Sequence, residues 1–290
     1  MQVTRRFTLL GCSSSPGVPR INGDWGNCDP NNPRNRRTRA SFLIEQIGPN
    51  GGKTTVVVDT GPDFREQMIR ARVEYIDAVV YSHAHADHLH GIDDLRGYFI
   101  TQKNRIPIYA EPATMARIEE GFGYCLKTPP GSGYPPIVAP HIIEDMAEPI
   151  VIDGAGGPIS VLPLEQQHGD IISIGLRIGN VAYCCDVSDF PDATVAKLGG
   201  LDLLYIDALQ YRPHPSHLSL EQALGLDETP LPAAHLPELG DSIESTQPAR
   251  PLQPCHHLDQ GGLGPARVPA GELHRGVLGA AHREQRGQVP

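Results

Sequence analysis

Four side chains that can bind metal ions lie within six residues of this sequence. They are His83, His85, Asp87 and His88, and they follow the pattern His-x-His-x-Asp-His. Imidazole nitrogens bind borderline transition metals and a carboxylate adds a harder oxygen ligand, so the set suits zinc, manganese or iron. Side chains of adjacent residues diverge, which makes it difficult for all four to face one ion. The spacing therefore predicts two ions, with His83 and His85 on one and Asp87 and His88 on the other.

The segment before this motif decides between a metal site and a solvated histidine-rich turn, which is the alternative origin of such a pattern. The apolar run Ala78–Tyr81 predicts a short buried strand. The histidines then lie in a loop at the carboxyl end of that strand, where the sheet holds their backbone in place. This position, together with the spacing, favours the metal site.

Around the motif, the first 225 residues alternate β-rich runs with turns and helical patterns, which is typical of a sheet-rich α/β core with helices outside. The predicted strands are Val3–Leu10, Ala40–Ile47, Thr54–Asp59, Ala78–Tyr81, Ile106–Ala110, Ile159–Leu164, Ser173–Ile178, Val181–Cys185 and Leu203–Ile206. The predicted helices are Pro62–Arg70, Asp93–Gly97, Pro112–Phe122, Ala193–Leu198 and Ser219–Leu224.

The His-x-His-x-Asp-His pattern after a strand resembles the signature of the metallo-β-lactamase superfamily. The resemblance implies an α/β (α+β) fold, a four-layer αββα sandwich with the metal ions at one edge of the sheets. It implies that His168 binds the first metal and that Asp186, at the end of a later strand, bridges both metals. It also implies that Asp59 orients the histidine loop from behind the ligands, a role compatible with capping the following helix.

Three further segments place the chain within that superfamily. The Ser/Gly-rich stretch Gly11–Arg20 resembles the opening of tRNA 3′-endonucleases (RNase Z) and of PhnP-like phosphodiesterases. The segments Asp59–Arg65 and His88–Arg96 look closest to the PhnP-like group, and His217–Leu224 is similar to a phosphodiesterase motif whose histidine faces the scissile phosphate. The likeness spans residues 3–225 and is closest to PhnP-like (phosphoribosyl cyclic) phosphodiesterases.

The resemblance implies a metal-dependent hydrolase of phosphoric diesters. Two divalent ions, zinc or manganese, would activate water against a small cyclic or nucleotide-like phosphodiester. The predicted catalytic residues are Asp87, His217 and Glu221. His217 would donate a proton to the leaving alkoxide or bind a phosphoryl oxygen, and Glu221, one helical turn on, would orient its ring. The alternative is that His217 is an ordinary histidine at the start of a helix, without a catalytic role.

Two other functions stay open. A tRNA 3′-processing endonuclease would need a long, basic, glycine-rich arm, and the loop at residues 128–136 is short and uncharged. A catalytically impaired nucleotide or metal binder is the second alternative, because the superfamily expects one more histidine ligand after a final strand. The nearest candidates beyond His217 are His235, His256 and His257, and no strand pattern precedes them.

The segment 226–290 differs in composition from the hydrolase domain predicted at residues 1–225. From Leu226 onward the sequence has no Phe, Tyr, Trp or Lys and is rich in Pro and Gly. Such a segment lacks the apolar area that offsets the entropy of ordering. We therefore expect an atypical tail, either poorly ordered or translated out of frame, without strands that contribute to the core.

Composition limits the setting and the partners. The net charge of -10 argues against broad coating of nucleic acid, and tRNA stays a partner only under the endonuclease alternative. Six cysteines without a Cys-x-x-Cys pair fit a reducing cytoplasm, and no apolar run is long enough to predict a membrane partner. The expected partner is a small phosphodiester or nucleotide, with a homodimer left open.

A basic run precedes the second predicted strand and is a candidate for binding substrate phosphate, because arginine contacts phosphate through two N–H groups at once. The more common explanation of such a run is a solvated surface. The residues are Arg34, Arg36, Arg37 and Arg39.

Overall fold

The computed structural model describes residues 3–228 and 242–245, which form two β-sheets with helices on their outer faces. The first sheet contains β1 Thr4–Gly11, β2 Ser41–Ile47, β3 Lys53–Val58, β4 Ala78–Val80, β5 Ile106–Ala110, β6 Val138–Ile142 and β12 Ser242–Ser245. The second contains β7 Ile150–Ile152, β8 Ile159–His168, β9 Ile171–Ile178, β10 Val181–Cys184 and β11 Leu203–Ile206. The helices are α1 Phe64–Ala71, α2 Ala86–Leu89, α3 Leu95–Gln102, α4 Pro112–Leu126, α5 Asp192–Lys197 and α6 Leu220–Glu228.

The strand order is β12-β1-β2-β3-β4-β5-β6 in the first sheet and β11-β10-β9-β8-β7 in the second. Alternate side chains of each strand point to opposite faces, so one strand feeds two cores. In β2, Phe42 and Ile44 pack between the sheets, whereas Leu43 packs against α1, α3 and α4. A third core lies between the second sheet and helices α5 and α6. The result is the four-layer αββα arrangement that the resemblance implied.

Three strands, β6, β7 and β12, were not predicted from the sequence, and all three lie at sheet edges. β6 contains Pro140, which an edge strand tolerates because its missing N–H faces no neighbour. β7 has only three residues, with Val151 exposed and Ile152 buried, and is too short for a clear alternation. The other differences concern element ends: β8 continues past Leu164 to His168, and α4 continues past Phe122 to Leu126.

Part of the segment after residue 225 is described, and it includes a strand that the sequence did not predict. α6 continues to Glu228, and β12 pairs in parallel with β1. The composition of the segment predicts no strand, but the free backbone groups of β1 offer hydrogen bonds that do not depend on side chains. The boundary at residue 225 stays a prediction, and His235, His256 and His257 lie outside the described residues. Within those residues, no helix has the length and apolar character to span a membrane.

Candidate metal centre

The histidine motif lies between β4 and α2. His83 and His85 are in the extended segment after β4, and one helical turn, α2, carries Asp87 and His88. The sequence predicted a loop throughout, because a four-residue turn is too short to show helical periodicity. The backbone carbonyl of Ser82 accepts a hydrogen bond from the N–H of Ile174 in the second sheet. The motif is therefore held against both sheets.

The second sheet brings two more donors to the same edge. His168 is the last residue of β8, and Asp186 follows β10. Asp186 has a φ of 50°, a left-handed conformation that few residues other than glycine and the short polar Asn and Asp adopt. This backbone turn directs the chain away at the strand end, where the carboxylate meets the histidine rings.

The Asp186 carboxylate is the centre of the cluster. Its Oδ2 lies 3.7 Å from Nε2 of His83, 3.4 Å from Nε2 of His88 and 3.6 Å from Nε2 of His168. Two donors about 2.1 Å from one tetrahedral ion are about 3.4 Å apart, so these separations match shared ligation.

The remaining two side chains of the motif lie on either side of that carboxylate. A ring nitrogen of His85 lies 2.9 Å from His83 and 3.3 Å from His168. Oδ2 of Asp87 lies 3.6 Å from Nε2 of His88. His83, His85, His168 and Asp186 form one cluster, and His88 contacts both Asp186 and Asp87, so the structure brings all six predicted ligands together. Assignment of ions to these groups stays a prediction.

The donor set fits divalent cations such as zinc or manganese. Three imidazoles and a carboxylate meet on one side, and an imidazole and two carboxylates meet on the other, which are ligand types these metals take. The two groups are carried by the segment between β4 and the end of α2 and by the ends of β8 and β10. The residues present fit a divalent-cation site.

Asp59 supports the motif from the buried side. Its carboxylate accepts hydrogen bonds from the backbone N–H and the hydroxyl of Ser82 and lies 2.7 Å from Nδ1 of His88. On the other sheet, Nδ1 of His168 lies 2.6 Å from the carbonyl oxygen of Ser216. An imidazole whose Nδ1 donates to a fixed acceptor presents Nε2 in a defined direction. The arrangement is the one expected for Asp59, which is fully buried and adopts a φ of 65°.

The local electrostatics differ among the rings. Burial lowers the pKa of His83 well below its usual value, and burial also lowers the pKa of His168. For His88 burial acts in the same direction, but the carboxylates of Asp186 and Asp59 outweigh it and hold the pKa of His88 well above its usual value. Neutral imidazoles offer a lone pair, so His83 and His168 are in the form that binds cations near neutral pH.

His217 lies beside this cluster with a different carboxylate from the one predicted. Its ring centroid is 4.7 Å from that of His168, and its Nδ1 is 2.5 Å from Oδ2 of Asp207. Glu221, the carboxylate predicted to orient the ring, is exposed on α6, and its role stays a prediction. A strand-end carboxylate is better fixed than one on a helix surface. The signal was present in the sequence, since Asp207 follows the strand Leu203–Ile206 as Asp186 follows Val181–Cys185.

None of the four arginines of the basic run lines the cavity beside the metal cluster. Arg34 and Arg36 are exposed, and Arg39 pairs with Asp63 and donates to the carbonyl of Ser15. Arg39 therefore supports the Ser-rich loop after β1. The arginine that lines the cavity at the metal cluster is Arg20, which lies outside the run of arginines singled out in the sequence.

A cavity of about 810 Å³, bounded by described residues, opens beside the cluster. One end is formed by His85, Asp87, His168 and Asp186, with Asp207 and His217 next to them. The other end is formed by the Ser-rich loop, where the hydroxyl of Ser13 is buried and has no hydrogen-bond partner among the described residues. The size falls in the range of small-molecule sites.

Residues 54–229 match the family model described as the beta-lactamase superfamily domain. The chain belongs to the metallo-β-lactamase superfamily. This confirms the family predicted from the histidine motif, and with it the four-layer fold.

Two solved structures are similar to the chain. A diphosphatase from the PhnP family is 34% identical, with 83% of this chain and 86% of that chain covered and a TM-score of 0.67. Zn²⁺-bound PqqB from Methylobacterium extorquens is 16% identical, covers 78% of this chain and 85% of that chain, and has a TM-score of 0.55, which supports the fold alone.

A curated relative carries a different activity in its name. An octanoyltransferase of Porphyromonas gingivalis is 33% identical over 220 residues, which are 76% of this chain. This chain spans only 42% of the length of that relative. The name of the relative therefore describes a protein more than twice as long as the matched segment.

Proposed function

We propose that this chain is a metal-dependent phosphodiesterase that acts on small cyclic or nucleotide-like phosphodiesters. The observation that carries the proposal is the Asp186 carboxylate within 3.7 Å of three imidazoles from two sheets. That arrangement supports a pair of shared divalent cations, zinc or manganese. The likeness to a PhnP-family diphosphatase favours phosphate esters over other superfamily substrates.

Divalent cations bound by these residues would lower the pKa of a bound water and offset the negative charge of a phosphoryl group. The residues of this chain fix where that happens. His83, His85 and His168 define one side of the site, and Asp87 and His88 the other, with Asp59 fixing the His88 ring. Because these side chains are held before substrate arrives, little reorganisation is needed during the reaction.

His217 is placed to transfer a proton to the leaving oxygen. Burial acts to lower the pKa of His217, but the hydrogen bond and charge of Asp207 outweigh it and raise this pKa above its usual value. A raised pKa keeps the ring protonated over more of the neutral range, as a general acid requires. Asp207 positions the ring through Nδ1.

The far end of the cavity supports a compact, negatively charged substrate. Arg20 carries a positive charge there, and the backbone N–H groups of Ser14 and Ser15 have no acceptor within residues 3–228. Arginine and free N–H groups are the usual donors to phosphate oxygens. A substrate that reaches from the metal side to this loop would fill the cavity, whereas a folded tRNA would contact only its mouth.

A substrate panel tests the proposal. Protein loaded with zinc or with manganese is assayed on bis-(p-nitrophenyl) phosphate, a cyclic sugar phosphate, precursor tRNA and an octanoyl thioester. We expect turnover of the first two. Cleavage of precursor tRNA alone would favour the endonuclease, and turnover of the thioester without any phosphodiester would overturn the proposal.

His217→Ala is expected to slow cleavage according to how much the leaving group needs a proton. For an alkyl phosphodiester kcat should fall by about 10²–10⁴, the range of general acid catalysis. The p-nitrophenolate ion leaves readily without a proton, so the loss on bis-(p-nitrophenyl) phosphate should be much smaller. Steady-state kinetics on both substrates measure this difference.

The companion variant is Glu221→Gln, which removes the exposed carboxylate predicted from the sequence. We expect wild-type kinetics on both substrates. Equal losses for the two leaving groups in His217→Ala would contradict proton donation and indicate a binding role instead.

A further inference from the structure

A third group of potential ligands adjoins the metal centre. One oxygen of Asp186, one oxygen of Asp207 and one ring nitrogen of His217 lie within 4.8 Å of one another. Asp186 already belongs to the six predicted ligands, whereas Asp207 does not. Asp207 therefore adds a second carboxylate at this point.

The sheet explains how the two carboxylates meet. β10 and β11 are parallel neighbours in register from Val181 with Leu203 to Cys184 with Ile206. The backbone N–H of Asp207 donates to the carbonyl of Cys184. Parallel strands end at the same edge of a sheet, so the residues just beyond β10 and β11 are forced together.

Two carboxylates and the His217 ring meet at this edge. The side chains of Asp186 and Asp207 are each only 16% exposed, and one oxygen of each lies within 4.8 Å of the other. The two carboxylates repel each other, and a protonated His217 offsets the charge of only one of them. His217 is hydrogen-bonded to Asp207 through one oxygen, and a carboxylate has lone pairs on its second oxygen for a further partner.

We propose that Asp207 is the fourth protein ligand of the second cation, together with Asp87, His88 and Asp186. The inference rests on the dinuclear site of the proposed function but not on the identity of the substrate. Asp207 would then bind both the cation and the His217 ring. The proton donor would therefore be held close to the metal. Ligating carboxylates commonly have such a hydrogen-bond partner behind them.

This assignment has a consequence for metal preference. The first cation would have three imidazoles and one carboxylate, whereas the second would have one imidazole and three carboxylates. Oxygen-rich sites favour harder ions such as manganese, and imidazole-rich sites favour zinc. A histidine from the segment beyond residue 228 would instead give the second cation two imidazoles and a zinc preference.

The test measures binding of the metal alone. Metal-stripped full-length protein is titrated with Zn²⁺ and with Mn²⁺ against a competing chelator, ions per chain are counted by elemental analysis, and bound Mn²⁺ is followed by electron paramagnetic resonance. We expect two ions, the second with the greater relative preference for Mn²⁺. Asp207→Asn, which keeps the shape of the side chain, should weaken the second ion by about 10–100-fold and leave the first unchanged.

Matched variants separate this role from others. Asp189→Asn removes an exposed carboxylate close to Asp186 in the chain and should bind both ions as wild type does. His217→Ala removes the partner of Asp207 but not the ligand, so two ions should remain. Asp207→Glu keeps the charge and should retain more of the second ion than Asp207→Asn. Thermal unfolding of each metal-stripped variant shows whether it folds.

Three results would overturn the inference. The first is wild-type affinity for both ions in Asp207→Asn. The second is loss of the second ion in His235→Ala or in the double variant His256→Ala/His257→Ala, which would assign the ligand to the segment beyond residue 228. The third is failure of the wild-type chain to bind a second ion. The titrations use no substrate, so the metal-binding result can be interpreted even if the protein shows no phosphodiesterase activity.

Discussion

His85→Ala is expected to abolish phosphodiester turnover without destabilising the protein. The ring of His85 lies beside His83 and His168, so its loss removes one nitrogen ligand of the first cation. A bound cation contributes several kcal/mol to stabilising the transition state, which corresponds to a loss of about 10³-fold or more in kcat/KM. His85 is exposed and contributes nothing to the cores, so the free energy of unfolding should change by no more than about 0.5 kcal/mol.

The measurements are kinetics on bis-(p-nitrophenyl) phosphate, metal content per chain and urea unfolding of metal-stripped protein. His90→Ala is the matched control, because His90 is also exposed and lies at the end of the same helical turn, where it contacts Phe122. It should retain metal and activity. Activity that survives in His85→Ala, with metal content unchanged, would remove His85 from the site.

Gly61→Ala is expected to damage the metal centre through the backbone. A Cβ atom at Gly61 would lie 2.0 Å from the carbonyl oxygen of Asp87, far inside contact distance. The two segments are joined by hydrogen bonds from Thr60 N–H to the His88 carbonyl and from Gly91 N–H to the Thr60 carbonyl. Because backbone lies on both sides, α2 must shift to admit the methyl group. We expect a loss of about 1–3 kcal/mol in the free energy of unfolding.

The shift should also displace Asp87 and His88, so metal affinity and turnover should fall together with stability. Gly97→Ala is the control, since a Cβ at Gly97 in α3 meets nothing within 4 Å. In a helix interior that change should stabilise the protein by about 0.5–1 kcal/mol. Urea unfolding and elemental analysis of both variants test the pair. Wild-type stability and metal content in Gly61→Ala would show that the loop and α2 adapt freely.

The arginines show how far sequence patterns reach. The run of four arginines before β2 predicted a phosphate contact, because clustered charge is visible along the chain. In the structure Arg39 pairs with Asp63 and supports the loop at Ser15 instead. Arg20, isolated in the sequence, lines the cavity. Which cation faces a cavity depends on how the loops fold back over the sheets, and local charge density does not encode that.

Local spacing also did not identify the carboxylate that is hydrogen-bonded to His217. Glu221 was the natural choice because helical geometry places residues four apart on one face. The structure selects Asp207, ten positions earlier in the sequence, because β11 ends beside β10 and delivers its following residue to the metal edge. Short-range periodicity predicts neighbours within one element, but neighbours across elements follow from strand order.

The sequence by itself determined the family, the layered fold and the histidine motif. These are encoded locally, in the alternation of apolar residues and in four ligating side chains within six positions next to one strand. Tertiary structure alone decided that Asp207 pairs with His217 and that Arg20, rather than the arginine run, lines the cavity. Such contacts join different elements, and only the order of the strands and the packing of the sheets and loops around the site set the distances between them.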